Sequence, residues 1–153
     1  MTHLKKYTIG AMLLLTVFWG TALRSEILGD YVGYTACADC HPDIVEGWKT
    51  TAHARAFNDL KTQGEEKQTN PGCFRCHVVG YGEDGGYIDM ELTPELKDVQ
   101  CEACHGPGKT HTETIDPAAL SRAGEDVCRK CHTEGQDKDF DFVKKSKKIH
   151  GEQ

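Results

Sequence analysis

The chain reads as a mainly α-helical domain with few strands, whose interior is filled largely by something other than its own side chains. Composition and cysteine spacing lead there. The 153 residues are only 38% hydrophobic and 8% aromatic, with a mean hydropathy of −0.55, too little apolar material for one domain to fill a large core. Low apolar content alone would suit a disordered chain. The 8 cysteines, however, fall into four pairs of identical spacing, and such regularity organises a chain covalently or through metal. A formal net charge of −6 argues against nucleic-acid binding of the basic kind.

The first element is an address. Residues 1–25 read MTHLKKYTIGAMLLLTVFWGTALRS, with Lys5 and Lys6 ahead of an apolar run from Ile9 to Leu23. A basic start, an apolar middle and small residues at Gly20 and Ala22 make a secretory signal peptide cut after Ala22. The expected division is residues 1–22 as signal peptide and 23–153 as the mature domain, located in the periplasm. An uncleaved N-terminal anchor is the alternative, although the run of about 15 residues falls short of the roughly 20 that span a bilayer. Cleavage removes two of the 18 basic residues, none of the 24 acids and His3, leaving a net charge of −8 and seven histidines.

Every cysteine lies in a CxxCH motif: CADCH (Cys37, Cys40, His41), CFRCH (Cys73, Cys76, His77), CEACH (Cys101, Cys104, His105) and CRKCH (Cys128, Cys131, His132). This is the attachment signature of c-type haem, whose vinyl groups form thioethers with the two thiols while the adjacent imidazole becomes the proximal iron ligand. Zinc would use CxxC pairs two at a time and asks for no histidine after each. Disulfides suit an exported chain, but a short CxxC loop is better known as a redox motif than as a staple. An iron–sulfur cluster wants cysteines without the histidines. Four covalently attached haem c groups are therefore expected. The fold class becomes a multihaem c-type cytochrome, mainly α with few strands, in which the four haems form most of the core.

Four proximal histidines leave His53, His111 and His150 for the distal side of four irons. Three imidazoles cannot cap four irons, so one haem is left five-coordinate. Met90, the only methionine of the mature chain, is the alternative sixth ligand and would raise that haem's potential. Nothing around it in GGYIDMELTPEL resembles a ligand loop.

Residues 42–60, PDIVEGWKTTAHARAFNDL, read as one amphipathic helix, with Pro42 in the first turn and an apolar stripe through Ile44, Val45, Trp48, Ala52, Ala56 and Phe57. On that helix His53 stands 12 residues past His41, or about 18 Å, so it is expected to ligate a haem attached elsewhere. Gly106, Pro107 and Gly108 stop the helix after CEACH and form a loop that swings His111 towards a neighbouring haem. His150 ends FDFVKKSKKIH, a short helical segment tied down by Phe140 and Phe142. Residues 78–88 read as a β-hairpin around Asp84-Gly85, with a solvated glycine-rich loop as the equal alternative. Lys144, Lys145, Lys147 and Lys148 form the one basic concentration, read as a solvated helix face, with steering of an acidic redox partner as the second reading.

CADCHPDIVEGWKTTAHARAF, CFRCHVVGYGEDGGY, VQCEACHGPGKTH and VCRKCH follow in the order, and with the flanking residues, of the tetrahaem cytochrome c-554 family, which the chain resembles over roughly residues 31–150. The resemblance implies a mostly helical multihaem fold with closely stacked haem pairs, three haems bis-His and the second, bound at His77, five-coordinate and high-spin. It also implies His111 on the first haem, with His53 and His150 on the third and fourth in an order left open. The family's namesake accepts electrons from hydroxylamine oxidoreductase and passes them towards the quinone pool. This chain is shorter between its first and second motifs and after the fourth.

The expected function is that of an electron carrier without catalytic residues. It relays single electrons between a redox-protein donor and acceptor in an anaerobic or nitrogen-linked respiratory chain, with no nucleic acid and with peripheral contact to membrane redox complexes. Reduction of nitric oxide at the open second haem, or a place in a conductive multihaem assembly, are the alternatives.

Overall fold

The computed structural model describes residues 29–151, so the signal-peptide reading of residues 1–22 lies outside the described residues. The chain runs through short helices: α1 (Tyr34–Ala38), α2 (Pro42–Lys49), α3 (Ala56–Asp59), α4 (Pro71–His77), α5 (Cys101–His105), α6 (Lys109–Thr114), α7 (Glu125–Cys128) and α8 (Phe142–Lys145), joined by 3₁₀ turns and loops. Among the described residues there is no strand, only an isolated antiparallel bridge between Val78 and Lys97. The expected few strands are thereby corrected, and of the two equal readings of residues 78–88 the glycine-rich loop holds and the hairpin does not. Gly80, Gly82 and Gly85 sit at φ 63°, 86° and 73° and turn the chain too often for a ladder to form. Tyr87 N–H still crosses to the Val79 carbonyl at 2.9 Å, and a side chain at Gly86 would collide with the Gly80 carbonyl.

The single helix expected over residues 42–60 is also corrected. It ends at Lys49, where the hydroxyls of Thr50 and Thr51 donate back to the Gly47 and Trp48 carbonyls, both at 2.7 Å. Such bonds compete with the helix ladder. The Trp48 indole N–H donates to the Val99 carbonyl at 2.9 Å. His53 therefore opens a separate 3₁₀ turn, His53–Arg55, and its own carbonyl accepts from Val99 N–H at 3.1 Å.

Each CxxCH motif is one helical turn. The second closes α4, which Asn70 caps by accepting from Gly72 N–H at 2.9 Å and Pro71 begins. The third is α5 itself. In the first and fourth, the histidine N–H returns to the first cysteine's carbonyl: His41 to Cys37 and His132 to Cys128, both at 2.9 Å. Positions i, i+3 and i+4 share a helix face, so the spacing presents two thiols and an imidazole on one side.

Apolar burial is concentrated in one place. Tyr31, Phe57, Leu60, Phe74, Val78, Val79, Tyr87 and Leu96 form one cluster, in which the Phe74 ring meets Tyr81 at 5.2 Å, Tyr87 at 5.3 Å and Phe57 at 6.3 Å. It packs behind the second motif. By contrast, α1, α5 and α7, which carry the other three, bury no apolar side chain.

Buried polar side chains join what apolar contacts do not. Glu102, 4% exposed, accepts from Val32 N–H at 3.0 Å, Gly33 N–H at 2.8 Å and Gly108 N–H at 2.7 Å. Gln100 accepts from Tyr34 N–H and donates to the Glu95 and Lys97 carbonyls, all at 2.7 Å. Asp98, in the left-handed region at φ 70°, accepts from Phe57 N–H at 2.8 Å. Burial pushes its carboxyl above the usual range despite that bond.

Glu102→Ala leaves three backbone donors without an acceptor. It is expected to lower stability by about 3 kcal/mol in denaturant unfolding, and Glu102→Gln by less.

Candidate haem centres

Six of the seven histidines among the described residues stand in three facing pairs. His41 faces His111 with ring centroids 6.4 Å apart and planes 13° from parallel. His105 faces His150 at 6.4 Å and 19°. His132 faces His53 at 6.0 Å and 62°. Two imidazoles bound at about 2 Å to opposite sides of one metal stand with centroids roughly 6 Å apart. Each pair joins one motif histidine to one distal candidate. The residues therefore fit haem iron held between two imidazoles, beside helices that carry no apolar packing of their own.

The remaining histidine, His77, has no facing imidazole among the described residues. Its Nδ1 lies 2.6 Å from the Ala56 carbonyl. Met90, the alternative ligand, stands 44% exposed in a turn where Asp89 accepts from Glu91 and Leu92 N–H, both at 2.8 Å.

Hydrogen bonds fix which ring nitrogen is free. His105 Nδ1 meets the Ser121 carbonyl at 3.0 Å and His111 Nδ1 the Asp116 carbonyl at 2.9 Å, while His132 Nδ1 meets Asp137 Oδ2 at 2.8 Å. Carbonyls and carboxylates only accept, so Nδ1 carries the hydrogen and Nε2 keeps its lone pair for a metal. Burial, and then the facing His132, hold the His53 imidazole below its usual pKa. Burial and His105 do the same for His150. Both stay neutral at pH 7, the form that ligates.

Local structure explains how the distal rings arrive. The expected loop around His111 is only a turn: Gly106, at φ 81°, ends α5, Glu102 fixes Gly108, and a second helix, α6, carries His111. Ile115 caps α6 at φ 58°, the left-handed position that glycine usually fills, and this turns the Asp116 carbonyl towards His111. His150 follows α8 and the 3₁₀ turn Ser146–Lys148, as the helical reading of that segment expects. The chain at His150 lies directly on Gly47 of α2, where a side chain would collide with the His150 carbonyl.

The thiols show which motifs adjoin. Cys37 and Cys101 hydrogen-bond one another, and that bond, ahead of burial, holds the Cys37 thiol far above its usual pKa. Cys131 is pushed up to about 12 by burial and by its bond to Cys76. Cys104 is raised by burial and by the nearby Cys128. The motifs thus form a contiguous series in space, second, fourth, third, first. All eight thiols are free of disulfides. Among the described residues, no three His, Cys, Asp or Glu side chains converge to hold a metal ion by themselves.

Sequence reasoning brought forward all fifteen of these cysteines and histidines, and the structure brings six of the histidines together in pairs. It missed Gly47, Asp98, Gln100, Glu102 and Asp137. The run VQCEACHGPG was the one signal available, since a Gln and a Glu flanking Cys101 are odd choices beside an apolar cofactor.

Helical CxxCH turns with anchored, facing imidazoles define a multihaem c-type cytochrome. Residues 36–106 match the family model described as cytochrome c554 and c-prime. Cytochrome c-554 of Nitrosomonas europaea is 31% identical over 158 residues, an alignment covering 94% of this chain and 62% of that protein. The solved structure of the reduced state of cytochrome c554 from Nitrosomonas europaea superposes with a TM-score of 0.59 at 26% identity, over 79% of this chain and 83% of that one. The chain is a homologue of cytochrome c-554, and it spans 62% of that relative's length.

The ring planes predict electron paramagnetic resonance of the oxidised protein. Two low-spin signals of the rhombic kind given by near-parallel imidazoles are expected beside one large-gmax signal from the crossed His53 and His132 planes. Three rhombic signals would contradict the geometry. Gly47→Ala is expected to displace His150 from its place facing His105; with haem iron held between those two rings, the displacement would be visible as growth of high-spin absorption.

Proposed function

We propose that the chain carries four haem c groups and relays single electrons through them in the periplasm, between a donor and an acceptor redox protein of an anaerobic or nitrogen-linked respiratory chain. The observation that carries this is the set of three facing imidazole pairs, each joining a CxxCH histidine to a distal one. In this reading His41 and His111 hold the first haem, His105 and His150 the third, His132 and His53 the fourth, and His77 alone the second. Haem, when bound, supplies the one-electron ferric–ferrous couple. The chain's own residues do the rest. Cysteine pairs anchor each group, and ring nitrogens tied to Ala56, Ser121, Asp116 and Asp137 keep the ligands in place in both oxidation states. Adjacent thiols at Cys76 and Cys131, Cys104 and Cys128, and Cys101 and Cys37 set neighbouring groups in one continuous series.

A second reading, ligand chemistry at the haem of His77, is favoured by the absence of a facing imidazole there among the described residues. His77 Nδ1 donates to the Ala56 carbonyl at 2.6 Å, which leaves Nε2 as the nitrogen that would hold the iron.

Intact-mass analysis of the periplasmic protein tests the first reading. A chain beginning at Leu23 with four haems is expected, and Cys73→Ser with Cys76→Ser is expected to remove one haem. Nitric oxide added to the reduced protein is expected to bind one haem in four and to be lost in that double variant. Steady turnover of nitric oxide under excess reductant would establish the second reading over simple transfer.

A further inference from the structure

His132 differs from His77 and His105 in what its Nδ1 hydrogen meets. His77 and His105 donate to uncharged backbone carbonyls, those of Ala56 and Ser121, whereas His132 donates to the Asp137 carboxylate, with Oδ2 at 2.8 Å. The same oxygen accepts from Lys145 Nζ at 2.7 Å. Imidazole and lysine therefore compete for one charge. The carboxylate sits on a tight turn, with Asp137 N–H donating to the Thr133 carbonyl at 2.8 Å. Phe140 lies along the face of the His132 ring at 4.5 Å and 21°, and the Arg129 guanidinium and Lys145 ammonium cover Phe140 at 4.8 and 5.4 Å. Ring and acceptor are locked together.

A carboxylate that accepts an imidazole N–H draws the proton towards itself and makes Nε2 a stronger donor to the metal. Stronger donation stabilises ferric over ferrous iron, so the potential falls; hydrogen bonding to the axial ligand is one of the levers a protein has on haem. The ammonium of Lys145 draws on the same oxygen and works the other way.

We propose that Asp137 is a positioning residue that makes the haem of His132 and His53 the lowest in potential of the three with facing imidazoles, and that Lys145 sets how far it falls. This rests on the ligation assigned above. Because the fourth motif stands between the second and the third in space, its haem becomes the step that an electron crossing the chain must climb, separating the haem of His77 from the other pair.

The test is a redox titration of the four-haem protein monitored by electron paramagnetic resonance, with dithionite supplying one electron to each ferric haem. The crossed-plane signal reports the fourth haem. In the wild type it is expected to vanish last among the low-spin signals. Asp137→Asn keeps an acceptor but removes its charge, and is expected to raise that midpoint by about 59 mV, tenfold in a one-electron equilibrium, with smaller shifts elsewhere. Lys145→Met is expected to lower it. Opposite signs support the proposal, since a merely structural role would move both variants the same way. An unchanged midpoint in Asp137→Asn, or shifts of one sign in both, overturns it. If Asp137→Asn fails to load haem, the direction in Lys145→Met decides alone. Failure of the underlying ligation shows separately, as a wild type without a crossed-plane signal or with fewer than four haems per chain.

Discussion

The structure depends on the meeting of imidazole rings from distant stretches of sequence with a metal-sized gap between them. No helix among the described residues exceeds the eight residues of α2, and helices so short have little stability of their own. The ring pairs tie the first motif to α6, the third to the C-terminal segment, and the fourth to the turn after α2. Each is a long-range crosslink that a metal would close, and binding energy released at such a site is folding energy. The short helices need only present a thiol pair and a ring on one face, which a single turn does.

Around these crosslinks the chain divides its packing. The aromatic cluster of Phe57, Phe74, Tyr81 and Tyr87 stands behind the second motif, whose histidine has no facing imidazole among the described residues. Where the imidazoles face one another, the motif helices bury no apolar side chain and buried polar nodes join the chain instead. Glu102 gathers three backbone donors, and Gln100 and Asp98 tie α1 and α3 to the loop before α5. Polar nodes of this kind hold only when fully satisfied, and they then specify one arrangement strictly. That suits a molecule whose ligand geometry matters more than its bulk stability.

Much of this was legible in the sequence, and the reason is chemical. Four CxxCH turns state their own local geometry, and His77 is the one histidine without a facing imidazole among the described residues. What the sequence hid is what depends on distant partners. Periodicity carried a helix through Thr50 and Thr51 because the apolar stripe continues, while the break comes from hydroxyls turning back on Gly47 and Trp48. Turn chemistry suggested a hairpin at Asp84-Gly85, but three left-handed glycines coil the segment instead. The partners of His53 and His150 were open, because spacing says how far a ring lies from its own motif and nothing about which other motif it meets. Asp137 gave no signal at all, being one acid among 24.

The consequence is a chain in which the CxxCH turns are encoded locally and the pairing of imidazoles globally. Near-infrared magnetic circular dichroism of the oxidised protein tests the pairing most directly, because it identifies the axial ligands of low-spin ferric haem. Three bis-imidazole haems beside one high-spin haem is the result expected. A histidine–methionine band, or four bis-imidazole haems, would contradict it.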